Sequence, residues 1–172
     1  MEKYIIQQKR EYNRALKEIQ NGRKESHWIW YIFPQITGLG YSFMCKKYDI
    51  QSLDEAKEYL RNDYLRDNLI NICKALLTHE GKKDIKDIMN IDDCKLLSCM
   101  TLFNKADEEE NRCGGIFKKV MEVFYEGKQD ELTLNILENQ RLDKISRKEK
   151  EKEKEKENEK EKEKKINNIN NR

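Results

Sequence analysis

The side chains best suited to chemistry lie close together in one segment of the sequence, residues 22–35. This segment contains both tryptophans, one of the two histidines and the only proline of the chain. Its candidate functional residues are Arg23, Lys24, Ser26, His27, Trp28, Trp30 and Gln35. Large aromatic side chains are costly to leave in water, so the segment is either buried or binds something. A basic rim beside an aromatic block predicts a small pocket for an anion.

His27 is the candidate catalytic residue, since an imidazole with an ordinary pKa of about 6.5 exchanges protons near neutral pH. Arg23 and Lys24 precede Ser26, which we expect to cap a short helix that carries residues 27–33. Backbone N–H groups at a helix start, two cations and a hydroxyl suit a phosphate or carboxylate. The alternatives are structural: a histidine that hydrogen-bonds at the helix start, and a solvated basic turn.

The two tryptophans should have different roles. Residues two apart in a helix do not share a face, so Trp28 and Trp30 would point to different sides of the predicted helix. We expect one indole to reach the pocket, where it would stack on a ring, and the other to pack in the core. Pro34 should end the helix, because the residue before proline avoids the helical region.

A second candidate segment lies in the middle of the chain. Asp92, Lys95, Ser98 and Thr101 recur every three residues, next to apolar positions such as Leu96. Lys95, Ser98 and Thr101 would form one polar stripe of a helix and the opposite wall of the pocket. The alternative is a helix that Asp92 caps and that Ser98 bonds to a neighbouring element.

Other kinds of site have no support in the sequence. It contains no dinucleotide fingerprint, phosphate-binding loop, zinc-protease motif or nucleophile elbow, so we predict no cofactor. Five cysteines form an odd set without a Cys-x-x-Cys pair, and we predict free thiols and no metal site. The chain shows neither 18 consecutive apolar residues nor a secretory signal, which favours a cytoplasmic protein, or a nucleocytoplasmic one, with no membrane contact.

The positive charge of the chain belongs to its C-terminal tail. Residues 147–172 contain 9 Lys, 2 Arg and 8 Glu, and the whole chain has 35 basic and 33 acidic residues. The rest therefore has 24 basic and 25 acidic residues, which argues against nucleic acid as a partner. The Lys-Glu alternation resembles coiled-coil composition, but it has no apolar seam to bury. We expect a low-complexity tail, 143–172, that is disordered or partly helical.

Apolar stripes at helical spacing predict an all-α domain, residues 1–142, of seven or eight short helices. The first stripe ends at Asn21-Gly22, two residues that both tolerate the left-handed conformation. Predicted N-caps, besides the two already given, are Ser52, the pair Asn62-Asp63 and Asp130. Residues 107–111 are expected to form an acidic loop. The last helix of the domain is expected to bury Leu132, Leu134, Ile136 and Leu137.

Three motifs resemble the signature of a known family. They are Gly-Arg-Lys-x-Ser-His-Trp-x-Trp-x-Ile-Phe-Pro-Gln at 22–35 with Gly-Leu-Gly at 38–40, Asp-x-x-Lys-Leu-x-Ser-x-Met-Thr-Leu-Phe at 92–103, and Phe-x-x-Gly-x-x-Asp-x-x-Thr-Leu at 124–134. The chain is thus similar, over residues 4–137, to an uncharacterised family of small bacterial and lower-eukaryotic proteins, sometimes labelled calpastatin-like. The resemblance implies a compact helical fold and no established activity. This chain has Cys99 where that family usually has a second serine.

The calpastatin label does not suit the residues themselves. An inhibitor of that type is a disordered repeat, whereas this body is aromatic, periodic and non-repeating. Two functions therefore remain. One is a small-molecule site, an enzyme if His27 transfers a proton, for a phosphorylated or nucleotide-like metabolite. The other is a non-catalytic protein-interaction domain with a solubilising charged tail.

Overall fold

The structure is a computed structural model that describes residues 1–170, with side chains through Asn167. Its elements are α1 (Glu2–Gln20), α2 (Ile29–Ile32), α3 (Phe43–Tyr48), α4 (Leu53–Arg61), α5 (Asp63–Leu77), α6 (Ile85–Met89), a 3-10 turn (Asn90–Asp92), α7 (Asp93–Glu110), α8 (Ile116–Tyr125) and α9 (Glu131–Asn170). Within this part of the chain the only extended pairing is an isolated bridge between Ile36 and Ile50. The all-α prediction is confirmed.

Two units make up the chain. The first comprises Met1–Leu137, and the second begins at Glu138. The predicted boundary at residue 142 remains a prediction. The Lys-Glu segment lies in α9, so the described part of it is helical, and its predicted disorder gains no support.

The core of the first unit is a cluster of packed helices. Helix α4 packs on α7, α1 on α5, and α8 on both α5 and α7. A chain of aromatic rings runs through the centre. The distances between ring centroids are 5.4 Å for Tyr4 and Tyr59, 4.9 Å for Tyr59 and Phe103, and 5.9 Å for Phe103 and Phe117. These fully buried rings remove large apolar areas from water, which is the main favourable term in folding.

Helix α1 is the scaffold for the candidate segment. Its buried stripe includes Gln8. The amide nitrogen Nε2 of Gln8 donates to the carbonyl oxygen of Tyr31 at 2.8 Å and to the Tyr59 hydroxyl at 2.9 Å. This attaches α2 to α1. At the other end, Gly22 has φ of +78°, and His79 and Lys83 bond to the carbonyl oxygens of Ile19 and Gly22. The Ile19 carbonyl near the C-terminal end of α1 thereby gains a partner outside the helix.

Several helix boundaries follow the predicted caps. The Ser52 hydroxyl accepts from the Glu55 N–H, the Asn62 side chain from the Leu65 N–H, and the Asp130 carboxylate from the Thr133 N–H. The predicted acidic loop at 107–111 is wrong, because α7 continues to Glu110. Leu132 is exposed rather than buried.

The last turn of α7 is held by partners on another helix. Lys57 binds Glu109, and Arg61 binds Glu110 through two nitrogens, so α4 ties down the end of α7. The Asp107 carboxylate accepts from the backbone N–H groups of Arg112 and Cys113 just beyond the helix. These contacts replace the loop that the acidic run suggested.

Candidate functional site

Glu18 of α1 fixes the backbone of the candidate segment. Its Oε2 accepts hydrogen bonds from the N–H groups of Glu25 and Ser26, at 2.8 and 3.0 Å, and from Nε1 of Trp28 at 2.7 Å. Its Oε1 accepts from the Ser26 hydroxyl. Burial raises the pKa of Glu18, but the Ser26 hydroxyl and the other donors outweigh it, and the pKa lies below the usual range. The carboxylate therefore stays charged and keeps this segment in place.

These hydrogen bonds to Glu18 correct the prediction for Ser26. The Ser26 hydroxyl serves Glu18 instead of capping a helix, and α2 is a single turn that begins only at Ile29. The N–H groups of Glu25 and Ser26 also point to Glu18. They are therefore already used by a carboxylate of the chain, and the predicted anion cradle from backbone N–H groups is not open.

Lys24 and Asp92 form a buried ion pair between the two candidate segments. Lys24 is only 7% exposed, and its Nζ lies 2.8 Å from Oδ2 of Asp92. The same nitrogen donates to the carbonyl oxygen of Ser26 at 2.6 Å and lies 4.9 Å from the Trp28 ring centroid. The neighbouring backbone is held as well, because the Lys24 N–H donates to Ile88 and Asn90 donates to the Lys24 carbonyl. Lys24 thus holds the backbone of the candidate segment from its buried side.

The second oxygen of Asp92 binds the other lysine of the site. Nζ of Lys95 lies 2.8 Å from Oδ1, and Asp92 makes no capping bond to α7. Asp92 stands at the N-cap position of α7 as predicted, but the predicted capping bond is absent because its carboxylate binds the two lysines. Burial raises the pKa of Asp92, but the hydrogen bonds and charges of Lys24 and Lys95 outweigh it and lower the pKa. One carboxylate is therefore shared by two ammonium groups.

The two tryptophans differ as expected in their surroundings. Trp28 is fully buried, bonds to Glu18 and packs 6.2 Å from Phe33, which makes it a core residue. Trp30 is only partly buried, and the Lys95 ammonium lies 5.6 Å from its ring centroid. Trp30 is consequently the indole that a ligand could reach.

Arg23 and His27 lie at the surface on either side of Lys24 along the chain. Both side chains are exposed, and within the described residues neither makes a hydrogen bond or ion pair through its side chain. The backbone carbonyl oxygen of His27 accepts a hydrogen bond from the Tyr31 hydroxyl at 3.4 Å. Both side chains are thus available to a ligand.

Ser98 and Thr101 belong to a different cluster, around Asp130. The Ser98 hydroxyl donates to Oδ2 of Asp130 at 3.0 Å, and the Thr101 hydroxyl accepts from the Asp130 N–H at 2.8 Å while donating to Leu97. Both side chains are buried. They attach the start of α9 to α7 and do not form an open pocket wall. This matches the structural alternative for Ser98.

Gln35 takes part in the isolated bridge, and Cys99 belongs to the core. The Gln35 carbonyl oxygen accepts from the Ile50 N–H at 2.8 Å in the isolated bridge, and its side chain is partly buried. Cys99 is fully buried in the core, and burial raises the pKa of its thiol well above the usual range. The thiol therefore stays protonated and is a poor nucleophile.

A groove elsewhere on the first unit was not predicted. It has a volume of about 370 Å³ and lies where α7, α8 and the loop after α8 meet, with Asn104, Lys118 and Gln129 among its lining residues. None of the predicted site residues lines it. In the described part of the chain, no group of three or more His, Cys, Asp or Glu side chains is placed to hold a metal ion. None of the described helices has the length and apolarity needed to span a bilayer.

Sequence reasoning missed Glu18, Gln8 and Asn90, the residues that hold the candidate segment. Gln8 carried a signal, because it lies one helical repeat from both Tyr4 and Tyr12 on the buried stripe of α1. A polar residue at such a position has to find a buried partner. Glu18, next to Ile19, had a weaker signal of the same kind.

Comparison with known proteins places the chain in a family. A search of the curated proteins found no match. The crystal structure of the conserved hypothetical protein Rv1873 from Mycobacterium tuberculosis is similar, with a TM-score of 0.73 and 33% identity over 79% of this chain and 94% of that one. The family model for DUF1810, a protein of unknown function, matches residues 1–137. The chain therefore belongs to the DUF1810 family, whose function is uncharacterised.

Proposed function

We propose that the first unit binds a small phosphorylated or nucleotide-like metabolite at the surface of Trp30 and Lys95, with the exposed side chains of Arg23 and His27 as further contacts. The observation that supports this most is the pairing of two lysines with the single carboxylate of Asp92 beside a partly buried indole. The partly exposed Lys95 ammonium favours an anion, and the indole offers an apolar contact.

Each residue has a distinct role in this proposal. Arg23 and Lys95 contact the anionic group, since both ammonium and guanidinium groups suit phosphate oxygens. Lys24 and Asp92 hold Lys95 and the basic turn in position. His27 is exposed and is the only candidate for proton transfer, so any catalysis at this site would depend on it. The cytoplasmic location is part of the proposal, and the five free cysteines support it.

A thermal-shift experiment tests binding directly. The wild-type chain is titrated with pyrophosphate, ribose 5-phosphate and AMP. A ligand at 100 times its Kd should add about 2.7 kcal/mol of stability, which is a shift of several degrees in Tm. Arg23→Gln and Lys95→Gln should reduce the shift.

Arg10→Gln and Lys9→Gln provide charge-matched controls. Both residues are exposed on α1, and within the described residues neither side chain makes a hydrogen bond or ion pair with Arg23, His27, Trp30 or Lys95. They should bind like the wild type. If none of the three anions raises the Tm of the folded wild-type protein, the proposed function is wrong.

One observation favours the alternative of a protein-interaction domain. Tyr41 and Phe43 are 85% and 75% exposed, although large aromatic side chains are usually at least half buried. The double variant Tyr41→Ser, Phe43→Ser separates the two functions, because it should leave the anion-induced shift unchanged under our proposal. A partner-binding role would instead require that the shift be absent in the wild type and that the double variant lose a protein partner.

A further inference from the structure

The side chain of Lys95 is held by two weak contacts at once. Its ammonium pairs with Asp92, and it also lies over the Trp30 ring, while the side chain remains 35% exposed. Partly exposed ion pairs and exposed cation–π contacts are both weak. Lys24, at 7% exposure, holds the same carboxylate much more firmly, because breaking a buried pair leaves an unpaired buried charge. Lys95 can therefore move while the Lys24–Asp92 pair stays formed.

We propose that Lys95 covers Trp30 in the free protein and moves to the anionic group of a ligand whose planar aromatic ring then stacks on Trp30. This inference rests on the proposed function and assigns the ligand class: a phosphate monoester that carries a planar aromatic ring. One face of an indole takes either the ammonium group or a ring, because both need the same surface.

The covered ring makes both parts of the ligand necessary. A phosphate without a ring attracts Lys95 but leaves the indole without its cation. A ring without a phosphate must displace Lys95 and offers the ammonium no new anion. A ligand with both parts replaces each lost contact with another one, since Lys24 already neutralises Asp92. The site should therefore discriminate against either part alone.

The experiment compares three probes on the full chain by calorimetry: AMP, ribose 5-phosphate and adenosine. AMP should bind at least tenfold more tightly than either of the other two. Trp30→Leu should bring the Kd for AMP close to that for ribose 5-phosphate. Lys95→Met should weaken AMP and strengthen adenosine, because it removes both the phosphate contact and the cover. Lys9→Met is the matched control and should behave as the wild type.

Indole fluorescence of the wild-type protein gives a second readout that needs no variant. Trp28 is fully buried, so a ligand-induced change reports on Trp30. At saturation AMP should quench the emission clearly more than ribose 5-phosphate, because ribose 5-phosphate draws Lys95 away from the indole but places no ring on it. Circular dichroism confirms that each variant is folded.

The outcomes separate the two proposals. If none of the probes binds, the proposed function itself fails. If AMP and ribose 5-phosphate bind equally well and neither quenches the indole, an anion site exists but the stacking inference is wrong. If adenosine binds the wild type as tightly as AMP does, Lys95 is not the cover that we infer.

Discussion

Replacing Asp92 by asparagine should destabilise the first unit strongly, although the change preserves size and shape. Among the described residues, Asp92 is the only anion that pairs with Lys24, which is buried. Removing one partner of a buried ion pair costs about 3–5 kcal/mol. Lys24 would keep the Ser26 carbonyl and the Trp28 ring. Because these contacts remain, we expect a loss at or just below the lower end of that range, about 2–3 kcal/mol.

Two matched variants show whether the buried lysine causes this loss. Lys95→Gln removes the other cation on the same carboxylate, and its partly exposed pair should contribute only about 0–1 kcal/mol. Asp87→Asn makes the same chemical change at an exposed position of α6 and should cost less than about 0.5 kcal/mol. Urea unfolding at pH 7, followed by indole fluorescence and circular dichroism, gives the three free energies.

The pH dependence supplies a second check on the same pair. The folded-state pKa of Asp92 lies below its ordinary 3.8, so the pair stabilises the fold above that pH and is lost as pH falls through the lower value. The difference between wild type and Asp92→Asn should therefore be constant near neutrality and shrink below about pH 4. If Asp92→Asn costs no more than Asp87→Asn, or if Lys95→Gln costs as much, the buried pair does not carry the stability that we assign to it.

Three further predictions concern other parts of the chain. Burial raises the pKa of Asp49 to about 6, so its charge opposes folding as pH rises from 3.8 to 6. This shift corresponds to about 3 kcal/mol, which solvent screening reduces, so Asp49→Asn should stabilise the protein by about 1–2 kcal/mol at pH 7.5. Urea unfolding should show no effect of the substitution near pH 3.5. Deleting residues 147–172 should leave the Tm nearly unchanged, because the segment offers almost no apolar area to bury, and a loss of more than a few degrees in calorimetry would contradict this. Trp28→Ala should cost about 3–5 kcal/mol of unfolding free energy and Trp30→Ala clearly less, and equal losses would place both indoles in the core.

The helix ends that the sequence predicted correctly depend on neighbours a few residues away. Ser52, Asn62 and Asp130 cap helices through N–H groups three residues ahead. Gly22 ends α1 because its own backbone adopts positive φ. Such signals are local, so they can be recognised without knowing the fold.

The predictions that failed involve partners on another helix. Ser26 looked like a cap, but Glu18 on α1 captures its hydroxyl. The acidic run at 107–111 looked like a loop, but Lys57 and Arg61, about 50 residues earlier, hold its carboxylates and extend the helix. A charged residue has no fixed local preference strong enough to compete with such a partner.

The candidate site depends both on residue types that are visible in the sequence and on partners from other helices. The types of its residues were visible in the sequence, since basic, aromatic and imidazole groups stand out in a segment of 14 residues. Which of them remain open to a ligand was not visible, because that depends on Asp92, 68 positions from Lys24, and on Glu18. Once Asp92 neutralises Lys24 and Glu18 takes Ser26 and Trp28, the side chains of Arg23, His27, Trp30 and Lys95 are the ones left with exposed surface and the chemistry to bind an anion or a ring. The buried carboxylates therefore decide which part of the conspicuous segment supports the fold and which part is left to bind.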